Sequence, residues 1–474
     1  MSTDDVMREF NNKCEDRQPE TDLAVFISEL TVDDIPNQGL QTARRCFIDT
    51  LGVTLAGAQT SAGIKSANAV CEMDIGSSGS PMLANGGVAS ENNAVFANST
   101  AAHALDFDDD QFQITSHPSS TMIPPILTIA STDRMSGNDA LAAYVAGFET
   151  QYYLSQWITP SHYEAGWHGT ATFGTFGATA AVAHALGLSE KEISHALNIA
   201  ASMPAGIYGN FGSMTKPMHA GQAAQSGVKA ARLAQKGFTA SSSAISGNKG
   251  FFELYSGDAG VDSDTLPSLG DYWAIVKNGV YTKKYPCCYA THNAIEATRQ
   301  LIDENDIDPK SITAVEVIAS KGADAMLTYS NPQTSFEAKF SMEYIIGTMI
   351  SQGQVNLYSF SPNAVRNSSA ESIRERITLS IDPAIDYTDT RATIRIECGD
   401  RSYKKSHHNT PGGPANPLTS VELKEKFNHC LLYAGIQDKT NREGLYDTLY
   451  SLKDLDNIST IAEKCCTALG HNNP

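Results

Sequence analysis

Apolar residues recur at helical spacing through roughly the first 260 residues of the chain. Phe47, Leu51 and Leu55 are four residues apart and therefore lie on one face of a predicted helix. Ser189 and Glu192 have the spacing of a capping box, in which each side chain bonds the backbone N–H of the other residue, and they predict the start of another helix. This part of the chain is predicted to be helical.

Further along the chain, the pattern changes from helical to mixed. Polar and apolar residues alternate over residues 376–382 and 391–398, which predicts two strands that each bury one face. A third strand is predicted at residues 311–320, and amphipathic helices are predicted over residues 292–305 and 335–351. A helical pattern then returns and continues to the end of the chain.

These patterns predict a mainly α protein with two structural domains. A large all-helical domain is formed by both chain ends, residues 1–268 and 409–474, and a smaller α+β lid domain is inserted at residues 269–408. The length of 474 residues agrees with two domains, because a single core usually stops growing at about 250–300 residues.

Composition and charge exclude several classes of partner. Hydrophobic residues make up 41% and charged residues 18%, as in a globular protein, and no apolar run approaches the roughly 18 residues that a membrane span needs. The net charge of -19 argues against binding to nucleic acid or to acidic membrane surfaces. The nine cysteines are odd in number and form no C-x-x-C motif, so we expect thiols in a soluble, cytoplasmic protein.

Several catalytic classes lack their usual motifs. The chain has no G-x-G-x-x-G, no G-x-x-x-x-G-K-[ST], no G-x-S-x-G and no H-E-x-x-H. Dinucleotide and nucleotide chemistry, the α/β-hydrolase triad and this type of zinc site therefore lose their support, and we predict neither a cofactor nor a metal ion.

The segment AAHALDFDDDQFQITSHPS carries four carboxylates in five residues, at Asp106, Asp108, Asp109 and Asp110. Like charges this close repel one another unless solvent or a cation neutralises them. A solvated loop is one interpretation and a functional segment is the other. His117, just before a proline, is predicted to begin a new element in an extended conformation.

Two further segments place cations among small residues. His168 lies between Gly166 and Gly169, which would let the backbone approach a ligand closely, although a histidine in a turn gives the same pattern. Lys216 precedes a small-residue helix with His219 near its start, where a cation and helix-terminal amides could bind a carboxylate. A solvent-exposed lysine is the alternative.

Cys287, Cys288 and His292 cluster near another predicted helix start in the segment TKKYPCCYATHNAIEA. The pKa of a thiol is lowered at such a position. The alternative is a pair of buried cysteines with a capping histidine.

Taken in order, these segments resemble the MmgE/PrpD family. The resemblance rests on HALDFDD followed by HPS, GWHGTATFGTFGATAAVAHALGL, TKPMHAGQAA, KKYPCCYATHNAIEA and a Pro/Gly-rich segment that ends in NPLT. It spans about residues 20–430. The family includes 2-methylcitrate dehydratases, cis-aconitate decarboxylases and an iminodisuccinate epimerase, and its fold is a helical domain with an α+β lid, usually in a homodimer.

The resemblance implies that Asp106, His117, His168 and Lys216 are active-site residues. The family's reactions make or protonate a carbanion beside a carboxylate, which requires fixed positive charge and a proton carrier that titrates near neutrality. We assign His168 to the reacting carbon, His117 to the leaving group, Lys216 to charge stabilisation and Asp106 to orienting a histidine.

Four further residues are predicted to contact the substrate: Asp110, His219, Cys288 and His292. Cys288 occupies a place where some decarboxylases of the family have histidine. Asp110 replaces a common threonine of the family, and an added carboxylate would repel a tricarboxylate unless it is protonated or points away. The substrate is therefore expected to carry fewer negative charges.

The first hypothesis for function is cofactor-independent dehydration of a small 2-hydroxy polycarboxylate such as 2-methylcitrate. Decarboxylation of a cis-aconitate-like acid and epimerisation of an iminodisuccinate-like acid are the enzymatic alternatives, and a polycarboxylate-binding protein is the non-enzymatic one. A homodimer is expected from the resemblance.

Overall fold

The computed structural model describes residues 18–74, 79–83, 86–257, 268–366, 371–386 and 389–470. Helices hold 58% of the chain and strands 9%, which confirms the predicted mainly α class. The chain forms two compact units. The first contains residues 1–104, 108–280 and 420–474, and the second contains residues 105–107 and 281–419. The sequence-based bounds fell after residues 268 and 408, whereas the units change after residues 280 and 419.

The first unit contains the first twelve described α-helices and a two-stranded antiparallel sheet. The strands are β1 (Ser80–Pro81) and β2 (Val88–Ala89). The helices are α1 (Pro19–Glu29), α2 (Asn37–Gly57), α3 (Ser61–Met73), α4 (Glu91–His103), α5 (Pro118–Ile129), α6 (Gly137–Ser155), α7 (Ser161–Glu164), α8 (Gly169–Ala185), α9 (Glu190–Ala200), α10 (Thr215–Gln235), α11 (Phe251–Tyr255) and α12 (Ala274–Lys277).

The core of this unit lies around α8, whose residues 169–183 are all buried. Helices α6 and α10 pack against α8, and α10 also packs against α4. Small residues allow these close contacts: a Cβ on Gly227 of α10 would lie 2.5 Å from Ala178 Cβ of α8. Helices α8 and α10 therefore approach each other closely.

Two short-range predictions for this unit are confirmed. Phe47, Leu51 and Leu55 lie on α2 and are fully buried in the core. Ser189 and Glu192 form the capping box of α9, with Ser189 N donating to Glu192 Oε2 at 2.8 Å.

In its described residues, the second unit combines six α-helices with a four-stranded sheet. The helices are α13 (His292–Asn305), α14 (Ala323–Met326), α15 (Ser335–Ala338), α16 (Met342–Gln352), α17 (Pro362–Arg366) and α18 (Glu371–Arg374). The strands are β3 (Ala314–Ser320), β4 (Ile377–Asp382), β5 (Ala392–Cys398) and β6 (Arg401–His407). The strand order is β4-β3-β5-β6, and α13 covers β5 and β6.

The sheet of the second unit is mixed. Strand β3 pairs in parallel with β4, with Val315 opposite Ile377, and antiparallel with β5, with Val315 also opposite Ile396. Strand β6 pairs antiparallel with β5 at the edge of the sheet. The three predicted strands are present, whereas β6 was not predicted because only partly buried positions separate its exposed ones.

The single helix predicted over residues 335–351 is wrong, since the structure divides it into α15 and α16. Ser341 caps the start of α16, with its Oγ accepting from Tyr344 N at 3.1 Å, and the helix ends at Gly353 in the left-handed region. A serine side chain that satisfies a free backbone donor favours such a new helix start.

The helical pattern after the second unit belongs to the first unit again. It forms α19 (Ser420–Tyr433), α20 (Lys439–Tyr450) and α21 (Ser459–Ala468). Helix α19 packs against α2, where a Cβ on Gly52 would lie 2.9 Å from Phe427 Cδ2. None of the described helices has both the length and the hydropathy of a membrane span.

Candidate active site

Four histidines meet at helix ends in the first unit. His103 ends α4, His117 and His168 immediately precede α5 and α8, and His219 lies in the first turns of α10. The ring centroid of His103 lies 4.5 Å from that of His117 and 5.8 Å from that of His168. The ring centroids of His168 and His219 are 5.3 Å apart. All four are buried. We call these four residues the histidine cluster.

Local backbone contacts hold His117 and His168 in place. His117 N donates to Thr170 Oγ1 at 3.0 Å, and His168 N donates to Gly206 O at 3.1 Å. Gly169 is needed beside His168, because a Cβ there would lie 2.3 Å from the carbonyl oxygen of Thr115. The glycine next to His168 therefore allows a close contact between two backbone segments.

The hydrogen bond of His117 determines which of its nitrogens titrates. His117 Nδ1 lies 2.8 Å from the backbone oxygen of Asp109. A carbonyl oxygen only accepts, so Nδ1 carries a proton and Nε2 is the atom that gains or loses one.

His168 and His219 share a hydrogen bond between two Nδ1 atoms, 3.1 Å apart. One ring must donate and the other accept. Burial, followed by the positive charges of His103 and Lys216, lowers the pKa of His219 to about 4. His219 is therefore neutral near pH 7 and can accept the Nδ1 proton of His168, which leaves Nε2 of His168 for proton transfer.

Lys216 lies beside the cluster in the first turn of α10 and is buried, so the solvent-exposed alternative is wrong. Its ammonium group lies 5.2 Å from the ring centroid of Phe211, and that ring contacts the ring of His168 edge-on at 4.8 Å. A cation held over an aromatic face in a buried position has a fixed location and strong electrostatic influence.

The acidic segment is not a solvated loop, because Asp106, Asp108 and Asp109 are buried and Asp110 is only partly exposed. Each buried acid has its own partner. Asp108 Oδ2 lies 2.8 Å from His103 Nδ1, and Asp109 accepts hydrogen bonds from the backbone N and the Oγ of Ser119. Burial raises the pKa of Asp109 to about 8.

Asp106 belongs to the second unit together with Lys283, which was not predicted as a functional residue. Lys283 Nζ donates to the backbone oxygen and to Oδ2 of Asp106, both at 3.0 Å, and the lysine side chain is only 1% exposed. Asp106 has a positive φ of 50°, which Asp tolerates better than most residues. In the sequence, the doublet Lys283-Lys284 has the pattern of a charged surface run, so burial of Lys283 was not predicted.

Two acids are candidates for the role of orienting a histidine. That role was assigned to Asp106, which binds Lys283, and its action on a histidine stays a prediction; Asp108 is a second candidate, because it bonds His103 of the cluster. His103 and Asp108 were both missed. Their one signal in the sequence is that they lie in the same HALDFDD motif as Asp106.

The cysteine segment of the second unit is also buried. Cys287 is fully buried, and burial raises its pKa to about 12, which agrees with the buried-cysteine interpretation of this residue and not with a lowered thiol pKa. Cys288 is 7% exposed and precedes the turn that leads into α13. His292 begins α13, and its Nε2 lies 3.3 Å from the carbonyl oxygen of Cys287.

The predicted site residues thus fall into two groups. The first unit brings together His117, His168, Lys216 and His219 and adds His103 and Asp108. Asp106, Cys288 and His292 belong to the second unit. Asp110 belongs to the first unit, and its predicted contact with the substrate stays a prediction.

Comparison with known proteins gives matches along nearly the whole chain. The MmgE/PrpD N-terminal domain matches residues 21–264, and the MmgE/PrpD C-terminal domain matches residues 285–449. Cis-aconitate decarboxylase of Homo sapiens is 26% identical over 462 residues, which cover 93% of this chain and 92% of that protein. Cis-aconitate decarboxylase of Aspergillus terreus is 22% identical over 469 residues, which cover 94% and 95%. Because the N-terminal family model alone matches more than half of the chain, the protein belongs to the MmgE/PrpD family.

Proposed function

We propose that this protein is a lyase that releases carbon dioxide from a small unsaturated polycarboxylate of the cis-aconitate type, without a cofactor. The chain is a lyase of the MmgE/PrpD type. Decarboxylation is preferred to the dehydration expected first, because the similar human, mouse and Aspergillus terreus proteins are cis-aconitate decarboxylases and align over 77–95% of their own lengths. The observation that carries the proposal is the histidine cluster beside Lys216.

The chemistry of such an acid defines what the protein must supply. One carboxylate is attached to a saturated carbon next to a C=C bond. When its C–C bond breaks, carbon dioxide leaves and the electron pair forms a new C=C bond with the neighbouring carbon. The electron pair of the old C=C bond moves to its far carbon, which takes up one proton. No electrons are gained or lost overall, so the reaction needs no oxidant or reductant. It needs one proton donor for the carbon that is protonated and fixed cations for the remaining carboxylates.

His168 is the proposed proton donor. Its Nδ1 faces neutral His219, so a charged His168 can keep its Nδ1 proton in that hydrogen bond and deliver the proton on Nε2 to carbon. Proton transfer by a positioned side chain of this kind contributes about 10²–10⁴-fold to rate. His219 then acts as a positioning residue rather than as the substrate-binding residue expected from the sequence.

Lys216 is the proposed partner of a substrate carboxylate. Lys216 is only 5% exposed, and its ammonium group is held over Phe211, which also contacts His168. Negative charge that develops on the substrate would therefore arise near a cation that needs little rearrangement.

Dehydration of a 2-hydroxy acid such as 2-methylcitrate is the second candidate. That reaction needs a base at carbon and an acid at the departing hydroxyl. His117 and His168 could fill these roles, since their ring centroids lie 6.5 Å apart and each ring has a different hydrogen-bond partner. The homodimer and the cytoplasmic location also stay predictions.

The test is turnover of defined acids by the purified protein in D₂O. Cis-aconitate, citrate, 2-methylcitrate and iminodisuccinate are each incubated with it, and carbon dioxide and deuterated products are measured. We expect carbon dioxide from cis-aconitate, with one deuterium on the carbon that is protonated. Loss of water without carbon dioxide would favour the dehydratase, and exchange without net product would favour an epimerase. Stabilisation by an acid without any turnover would indicate a binding protein and refute the enzyme.

A further inference from the structure

His103 and Asp108 form a buried pair that no step proposed so far uses. His103 Nδ1 lies 2.8 Å from Asp108 Oδ2, and both side chains are fully excluded from solvent. The ring of His103 lies 4.5 Å from His117 and stacks on His168 at 5.8 Å, with an angle of 27° between the planes. The pair is therefore part of the histidine cluster and lies against both proposed acid-base groups.

Elementary acidity indicates where the proton of this pair resides. In the absence of other influences, an imidazole holds a proton about 400-fold more tightly than an aspartate does, since their reference pKa values differ by about 2.6. A buried carboxylate also needs a counter-charge. Asp108 Oδ1 is buried and has no hydrogen-bond partner in the described part of the chain. His103 Nδ1 lies 2.8 Å from Asp108 Oδ2 and His117 Nδ1 lies 3.8 Å from it, so His103 is the nearer of these two possible counter-charges.

We infer that Asp108 holds His103 as an imidazolium, and that this fixed positive charge positions the proton of His168 for transfer. The inference rests on the proposed function for its catalytic consequence, although not for the charge state of His103. In this arrangement, Asp108 and His103 are positioning residues that act through His168.

A permanent charge at His103 affects every imidazole beside it. A second imidazolium at His168 is disfavoured by repulsion, so its proton is released more readily. The positive charge of His103 is already one of the causes that lower the pKa of His219, after burial. The other groups that bear on this balance are His117 and Lys216, and Asp49 and Asp109, which interact electrostatically with Asp108.

A metal ion is the competing explanation for the same residues. One ligand atom each from His103, Asp108 and His117 lie within 4.8 Å of one another, which is compatible with a bound ion. His117 Nδ1, however, donates to the Asp109 carbonyl at 2.8 Å and must carry a proton to do so. A protonated nitrogen cannot bind a metal, so Nδ1 of His117 is excluded as a ligand and only its Nε2 could bind an ion. The 2.8 Å contact between His103 Nδ1 and Asp108 Oδ2 has the length of a hydrogen bond, which favours the ion pair.

The direct test is histidine NMR on protein labelled with ¹⁵N-histidine. His103→Gln assigns the His103 signals by their loss. We expect both ring nitrogens of His103 to be protonated in the wild type at pH 8, above the ordinary imidazole pKa of about 6.5, and Asp108→Asn to convert the ring to its neutral form. A neutral His103 in the wild type at pH 8 would overturn the inference. This measurement is made on the wild type, and the only variant that must fold is His103→Gln, which assigns the signals.

Metal analysis of the same samples tests the competing explanation, a bound metal ion. We expect no stoichiometric zinc after dialysis of the wild type against excess Zn²⁺ and then against buffer. One equivalent that is retained by the wild type and lost in Asp108→Asn would overturn the ion pair, because the three atoms would then be ligands.

The catalytic consequence is tested by the pH dependence of kcat/KM. The limb of this pH profile that reflects titration of His168 should move to higher pH by roughly one unit in His103→Gln, because the neighbouring positive charge is removed. The double variant Asp108→Asn with His103→Gln, which removes both charges, should shift less. His184→Gln is the control, because His184 lies at the far end of α8 and bonds the Leu30 carbonyl instead. An unshifted limb with a charged His103 would refute the positioning role alone, whereas absence of turnover on every acid would refute the proposed function alone.

Discussion

The histidine cluster of the first unit and residues Cys287, Cys288 and His292 of the second unit are all buried, but their ionisable groups have different partners. In the cluster, imidazoles contact one another, as in the shared hydrogen bond of His168 and His219. In the segment around Cys287, Lys283 and Cys287 each have a fixed polar partner. Lys283 binds Asp106, and Cys287 contacts Thr291 Oγ1 at 3.3 Å.

Because both regions are buried but their ionisable groups have different partners, burial of ionisable groups alone does not indicate catalysis. In the cluster, His219 has a pKa of about 4 and is neutral, so it can accept the Nδ1 hydrogen bond of His168 and leave Nε2 of His168 for proton transfer. A lysine bound to a carboxylate, or a thiol whose pKa is raised to about 12, keeps one protonation state across the physiological range. We therefore place proton transfer in the cluster and assign a structural role to Cys287.

Removing the cation beside the cluster should have the largest effect. Lys216→Met is expected to lower kcat/KM by about 10²–10³-fold, because a fixed charge is lost where the substrate develops negative charge. Steady-state kinetics measure this, and Lys229→Met is the control because Lys229 is an exposed residue of the same helix. Equal losses in the two variants would contradict a specific role for Lys216.

Breaking a fixed pair in the second unit should affect stability instead. Lys283→Met removes the cation that neutralises buried Asp106 and should lower the free energy of unfolding by about 3–5 kcal/mol. Urea denaturation checks this against Lys321→Met, which changes an exposed lysine of the same unit and should stay within about 0.5 kcal/mol of wild type. If both variants unfold alike, the pair is not a stabilising element.

The raised pKa of Asp109 should make the free energy of unfolding depend on pH. Its pKa is raised to about 8 in the folded state, mainly by burial, so the folded state keeps a proton that the unfolded state releases. The stability from this group is present below about pH 4 and is lost as pH rises towards 8. Asp109→Asn should flatten the fall in unfolding free energy between pH 5 and 8, which reaches at most about 1.4 kcal/mol per pH unit.

Ser119, which donates to Asp109, can donate equally to the amide oxygen of the variant. Asp33→Asn is the control for charge removal at an exposed site. The same slope in Asp109→Asn as in wild type would show that other groups cause the dependence.

The smallest effect is expected at Cys287. Cys287→Ala should change kcat by less than about threefold, and iodoacetamide at pH 8 should leave Cys287 unmodified because the thiol is buried and protonated. Mass spectrometry of labelled peptides measures this, with exposed Cys71 as the positive control. Labelling of Cys287 at the rate of Cys71 would place it among reactive thiols.

Local signals in the sequence predicted much of the fold. The spacing of Phe47, Leu51 and Leu55, the capping box at Ser189, and the alternation in β5 each depend on residues a few positions apart. The predicted helix over residues 335–351 failed because a single serine can begin a new helix without disturbing the apolar pattern.

The site was predicted less completely, because its pairs depend on chain geometry. Asp106 and Lys283 are separated by 177 residues, and no spacing rule connects them. His103 lies on an alanine-rich helix, and its partner Asp108 follows a turn at which Asp106 adopts a positive φ. Which acid faces which histidine follows from that turn, and the order of letters does not reveal it.

The central claim is that His168 transfers the proton that the reaction requires. The most direct measurement is kcat of His168→Gln on the acid that the wild type turns over, beside His184→Gln as a control on the same helix. We expect a loss of about 10²–10⁴-fold for His168→Gln and wild-type turnover for His184→Gln. Turnover by His168→Gln within about threefold of wild type would contradict this claim.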